Sequence, residues 1–218
     1  MAGLLTPSAH LGRIALGAGL LGLLALPSLR EAMERDMARH MLVQIPLLAL
    51  CGWLCAPSPA TGRGLAAAWD RHGIVGILTA NLAAAYWMLP RTLDNAIASA
   101  AFEAAKFISL PLLVGVPLRR CWPRLPMLGQ GFVVANAVSM LGIVGWLYLA
   151  APVRVCVYYL IDQQETVGRA LLCLAGAITF AVLVRAFVGG ARPSVSLHHM
   201  APRQQRPRFN HQGWGSRQ

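Results

Sequence analysis

Charge is scarce in this chain. Only 12% of its 218 residues are Asp, Glu, Lys or Arg, about half of what a water-soluble domain carries. Acids are scarcer still, with eight against 19 bases. Together with a hydrophobic content of 56% and a mean hydropathy of +0.55, this poverty excludes a soluble globular domain. Polar and apolar residues do not alternate along the apolar runs, which excludes a membrane β-barrel. The five cysteines, Cys51, Cys55, Cys121, Cys156 and Cys173, make no CxxC pair, so neither a disulfide framework nor a zinc site is indicated. Cys51 and Cys55 stand one helical turn apart and offer thiols to Cu(I), but they fit better as small buried hydrophobes. There is no Walker loop, GxSxG elbow, HExxH helix or dinucleotide fingerprint, and no internal repeat, so bond-making chemistry finds no foothold and the chain reads as a non-enzyme.

What is present is a set of long apolar runs. Six of them, about 13–28, 39–57, 72–90, 97–117, 129–151 and 167–188, approach or reach the length a helix needs to cross a bilayer. Lipid offers no partner to an open backbone, so the fold class expected is all-α, a polytopic helix bundle over residues 1–188. Six crossings put the N-terminus, the 57–71 and 118–128 loops and the C-terminal end on one side, with 12 of the 19 basic residues. The other side holds six: Arg30, Arg35, Arg39, Arg91, Arg154 and Arg169. By the positive-inside rule both termini are expected in the cytoplasm, in a bacterial inner membrane. Arg13 followed by the run from Ile14 to Leu26 also resembles a signal peptide, whose loss would leave five crossings and the same orientation. The net charge of +11 does not point to nucleic acid, because the arginines sit at loop ends and in a tail, not among aromatics on a folded face. Residues 189–218, rich in Arg, Gln and Pro, cannot bury a core and read as a disordered basic tail. The tail carries His198, His199 and Met200, which could take a metal, although a basic anchor to anionic lipid is the better reading.

Met33, Met37, His40 and Met41 follow one another at offsets of four, seven and eight residues, so on one continuous helix they share a stripe. Thioether and imidazole donors suit Cu(I) better than any hard cation. The charged segment 28–38 predicts that the second helix protrudes beyond the bilayer, and Pro46 predicts a kink near His40. The same outer side gathers Met88 and Asp94, then Asp162, Gln163, Gln164 and Glu165. Asp36, Asp94, Asp162 and Gln163 are the polar residues expected to orient His40 and bias the field toward cations. Within the fourth run, Glu103 and Lys106 sit three residues apart and are expected to form an intramembrane ion pair, functional or simply a lock on helix register. A bis-histidine haem is poorly served, since His72 falls on the opposite side from His40.

The stretch AspMetAlaArgHisMetLeuValGlnIleProLeuLeu (36–48) resembles the HisMetxxHisMetLeu segment of the multi-spanning CtaG family of cytochrome c oxidase assembly proteins. AspGlnGlnGluThrValGly (162–168) is similar to that family's AspGlnGln followed closely by Gly, ahead of its last span. The resemblance covers about residues 30–185. It implies a polytopic helper that delivers copper to the oxidase catalytic subunit, with His40, Met37 and Met41 matching the first motif and Asp162 and Gln163 the second. Two positions depart from the pattern: Asp36 stands where the family's first histidine would fall, and Ala104 where a histidine follows the glutamate of a middle helix. Fewer imidazoles bind metal less tightly or differently. The function expected is therefore a membrane assembly factor presenting Cu(I) at its outer face. Two other readings are a non-catalytic anchor or subunit of a respiratory complex and, more weakly, a small-solute transporter using Glu103 and Lys106. Whether the bundle pairs as a homodimer stays open.

Overall fold

A computed structural model describes residues 7–57, 70 and 72–189, and among these it contains helices and no strand. Two compact units divide the chain, Met1–Ala181 and Val182–Gln218. The architecture below belongs to the first. The tail expected at 189–218, with His198, His199 and Met200, lies outside the described residues apart from Gly189, which ends the last helix.

The helices are α1 (Pro7–Ala25), α2 (Pro27–Glu34), α3 (Arg39–Cys55), α4 (Ile74–Met88), α5 (Pro90–Ala98), α6 (Ala100–Arg124), α7 (Met127–Ala150) and α8 (Ile161–Gly189). Three of them, α6, α7 and α8, are long and apolar enough to cross a membrane. The pair α1 and α2 passes the same test together but is bent by 71°, and α3 and α4 are shorter apolar helices. The outward surface of the bundle agrees with an apolar surrounding: Leu82, Phe132, Ile143, Trp146 and Phe180 are all exposed.

The breaks follow from the sequence. Pro27 opens α2 at a position where its missing N–H costs nothing, and the chain turns there. It turns again at Arg35 and Asp36, where the Asp36 carboxylate accepts the Arg39 backbone N–H at 3.0 Å and caps the next helix. Helix α3 does not run on from 28–38 as a protruding extension. Its first six residues, Arg39–Gln44, form a wide π turn, and Pro46 follows within the first two α positions. The same device recurs in α6, where Leu110–Gly115 is π and Pro117 follows. A proline ring clashes with the carbonyl four residues back and offers it no N–H. Widening the preceding turn relieves the clash and leaves carbonyls of that turn for other partners.

Helices α3 and α6 run parallel, with His40 and Gln44 facing Lys106 at one end and Trp53 facing Arg119 at the other, and they touch backbone to backbone where Gly52 meets Pro111 and Gly115 meets Ala49 at distances that leave no room for a Cβ. Helix α4 runs the other way beside α6, with the Trp87 indole N–H donating to the Ser109 hydroxyl at 2.8 Å. Helix α1 runs opposite to α3, where the Arg13 guanidinium donates to the carbonyls of Leu54 and Ala56. The core between them holds Met37, Met41, Leu48, Leu93, Leu110 and Leu171.

Candidate functional site

A buried polar node lies where α2, the first turn of α3 and the first half of α6 meet. His40, Gln44 and Lys106 are fully buried. The Lys106 ammonium has three donors and finds three acceptors: Glu34 Oε1 at 2.6 Å, Gln44 Oε1 at 3.2 Å and His40 Nε2 at 3.2 Å. On the far side of the imidazole, Nδ1 lies 2.7 Å from the Tyr159 hydroxyl, and that hydroxyl donates to the Glu34 backbone carbonyl at 3.0 Å. The phenol has one proton, so Nδ1 must be the donor to its oxygen, and Nε2 is left as the acceptor for the ammonium. The network thus specifies a neutral His40 in one tautomer. Gln44 closes the circle with a 3.4 Å hydrogen bond from its amide to Glu34 Oε1. An ammonium in such a place is costly unless every donor is met and a counter-ion is at hand, and both conditions are satisfied here.

Tyr159 is brought to the node by the segment between α7 and α8. Gln164, buried at the start of α8, accepts the Val155 N–H with its side-chain oxygen at 2.9 Å and donates to the Tyr148 carbonyl at 3.0 Å. Asp94 on α5 accepts the Val157 N–H at 2.9 Å. These two anchors hold 155–159 against the helix ends. Burial, and then the nearby Glu34 carboxylate, push the Tyr159 phenol up from its ordinary value, so it serves as a hydrogen-bond donor and not as an anion. Burial and the adjacent Asp94 likewise push the Cys156 thiol up to about 11.

Several expectations change on this geometry. Met33 does not share a stripe with Met37, His40 and Met41, because it lies on α2 and the chain turns at Arg35 and Asp36 before α3 begins. It is half-buried, whereas Met37 and Met41 are fully buried in the apolar core. Glu103 and Lys106 do not pair with each other. Lys106 reaches Glu34, and Glu103 meets Arg30 Nε at 2.6 Å, so both charges tie α6 to α2. A spacing of three residues makes such a pair possible, but the helix α2 brings shorter contacts. His40 is oriented by Tyr159 and not by a carboxylate: Asp36 caps α3, Asp94 holds Val157, Asp162 is exposed and Gln163 half-buried. The residues not foreseen are Glu34, Gln44, Tyr159 and Arg30. Gln44 had one signal, since it stands one turn beyond His40 on the same face.

For a soft metal, the donor types at Met37, His40 and Met41 are suitable. Their engagement is not, in the state described, because Tyr159 takes one imidazole nitrogen and an ammonium faces the other. Among the described residues no group of three or more His, Cys, Asp or Glu is arranged to hold a metal ion. The five cysteines are all free, with Cys51, Cys121 and Cys156 buried.

No family model, no protein of curated function and no solved structure matches this chain.

Proposed function

We propose that the chain is a multi-span membrane assembly factor for cytochrome c oxidase, handling Cu(I) as cargo for the oxidase catalytic subunit at the end of the bundle that carries His40. The observation that supports this reading is a meeting of segments. The two stretches that carry the family resemblance, 36–48 and 162–168, are more than a hundred residues apart in the chain. Yet His40 of the first is bonded by Tyr159, on the segment that Gln164 of the second pins in place. Sulfur from Met37 and Met41 and nitrogen from His40 are the donors a monovalent soft ion prefers.

In this reading Lys106 stands where the cargo would stand. Its ammonium is a tethered cation that fills the acceptor set of Glu34, Gln44 and His40, and it must withdraw from Nε2 before that nitrogen can take a metal. Loading is then an exchange of one positive charge for another, which spares Glu34 an unpaired buried state at any step. The membrane is the bacterial inner membrane, with His40 on the outer side.

The test is a Cu(I) titration against a chelating competitor, on full-length protein in detergent. His40→Ala is expected to lose binding, and Lys106→Met to bind about tenfold or more tightly, since a competing cation is gone. Should Lys106→Met not fold, the double variant Glu34→Gln with Lys106→Met removes both charges and serves the same purpose. If neither the wild type nor the lysine variants bind Cu(I), copper handling is overturned. The second reading then stands, a non-catalytic anchor of a respiratory complex. One observation already favours it: every donor and acceptor of Lys106 and His40 is satisfied, as in a structural lock.

A further inference from the structure

At the opposite end of the bundle from His40, two arginines from different helices come to the end of α3, and among the described residues neither is paired with an acid. Arg13 on α1 spends Nε and Nη2 on the carbonyls of Leu54 and Ala56, while its Nη1 is buried without a hydrogen-bond partner. Arg119 on α6 lies over the Trp53 ring, 4.5 Å from its centroid, and its Nε is likewise buried and unpartnered. Both guanidinium groups lie against the same end of α3, Arg13 at the Leu54 and Ala56 carbonyls and Arg119 at the Trp53 ring. Among the described residues neither makes a salt bridge. The acid that the fold places at this end, Asp70, is already committed: its carboxylate accepts the N–H groups of Val75 and Gly76 and the Cys121 thiol. An anion placed here would accept from both unmet donors and balance the two positive charges.

The surroundings identify the anion. Trp53, Leu118, Arg119, Trp122 and Pro123 line an open pocket of about 510 Å³. Tryptophans at the end of apolar helices sit at headgroup depth, with one edge in hydrocarbon and one in water. Leu118 and Pro123 supply an apolar wall beside the charge. A soluble anion would have no use for that wall, whereas a phospholipid presents a phosphodiester and the start of two acyl chains at the same depth. We propose that Arg13 and Arg119, with Trp53 and Trp122, form a binding site for the headgroup phosphate of an anionic phospholipid, bridging α1 and α6. The lipid phosphate meets the unmet donors of both arginines and thereby clamps the first helix of the bundle to the sixth. Basic pockets between helices are known to select such lipids, with each arginine contributing about fivefold in affinity near the surface.

Full-length protein is reconstituted in vesicles of equal parts phosphatidylglycerol and phosphatidylcholine, and the lipid that stays bound on extraction is identified by native mass spectrometry. The wild type is expected to retain phosphatidylglycerol in preference to phosphatidylcholine. Arg119→Gln and Arg13→Gln should each reduce that preference about fivefold, and Arg169→Gln, on an exposed pair elsewhere, should leave it unchanged. In thermal melts, phosphatidylglycerol should raise the wild-type midpoint and inorganic phosphate should not. Where an arginine variant fails to fold, Trp53→Leu removes the stacked platform and should weaken retention instead. Equal retention of the two lipids by the wild type, an undiminished preference in every variant that folds, or equal protection by inorganic phosphate overturns the site.

Discussion

Lys106 ties together α2, the first turn of α3 and α6 through a single ammonium group. Fully buried, it depends on one carboxylate for charge balance and on an amide oxygen and an imidazole nitrogen for its remaining protons. Lys106→Ala strands the Glu34 carboxylate in a nearly closed site, and the expected cost is about 3–5 kcal/mol, read as a fall in the thermal midpoint in detergent. Glu34→Gln in the same protein should recover much of that loss, because no buried charge is then left over. Tyr159→Phe is a gentler probe. It keeps the ring but leaves the Glu34 carbonyl and His40 Nδ1 without their partner, for an expected loss of about 1–3 kcal/mol. Cys156 gives the pH dependence. Its thiol is pushed up to about 11 by burial and Asp94, so the folded state holds that proton more tightly than the unfolded chain. The stabilisation is therefore complete below the ordinary thiol range near 8.5 and is lost as pH rises through about 11. Melting midpoints should be flat with respect to this group between about pH 6 and 8 and should fall in alkali. Maleimide labelling of Cys156 in the folded protein should stay negligible at neutral pH.

Between helices, what the amino-acid order reveals is uneven. The hydropathy runs at 39–57, 129–151 and 167–188 correspond closely to α3, α7 and the later part of α8, because an apolar run of that length has few other conformations available. The boundary between α2 and α3 is hidden, since Arg35 and Asp36 carry no glycine or proline to mark a turn, and the offsets of Met33, Met37 and His40 mimic a single helix. Equally hidden are the partners of Glu103 and Lys106: a spacing of three residues is a local rule, whereas Glu34 and Arg30 arrive through a tertiary contact. Tyr159 lies in a segment with no periodicity, so its bond to His40 has no signature in the sequence at all. The contact between α3 and α6 is more legible afterwards than before. Gly52 and Gly115 are ordinary glycines by sequence, yet a Cβ on either would enter the opposing backbone. Gly52→Ala and Gly115→Ala are each expected to destabilise by about 1–3 kcal/mol through overpacking, and Gly131→Ala, where nothing lies within 4 Å, should be nearly neutral. Thermal melts of the three variants side by side measure the difference.

For the chain as a whole, orientation is the property most open to measurement, and charge supplies the argument. The cluster of Arg13, Arg119, Arg120 and Arg124 gathers at one end of the bundle. The other end mixes Arg30, Arg35, Arg39, Arg91, Arg154 and Arg169 with acids, several of them paired. A base neutralised by an adjacent acid still counts in the positive-inside bias, since acids contribute little to it, so the comparison rests on the bases alone, expected from the sequence as 12 against six if the chain crosses six times. Helices α3 and α6 point the same way, with α4 reversed between them in the chain, so one orientation commits all three. A fluorescent reporter that folds only in the cytoplasm, fused after Gln218, is expected to glow. Alkaline phosphatase, active only outside, is expected to work when inserted within the exposed segment near Arg154 and to be silent when inserted near Arg63. Removing the arginines one end at a time supplies the causal arm: neutralising Arg119, Arg120 and Arg124 together should shift a measurable fraction of molecules to the reverse orientation, while neutralising Arg154 and Arg169 should not. Phosphatase activity near Arg63 in the wild type would mean that the bundle sits the other way up, and the His40 end would then face the cytoplasm, where a factor delivering copper to the outer half of an oxidase could not use it.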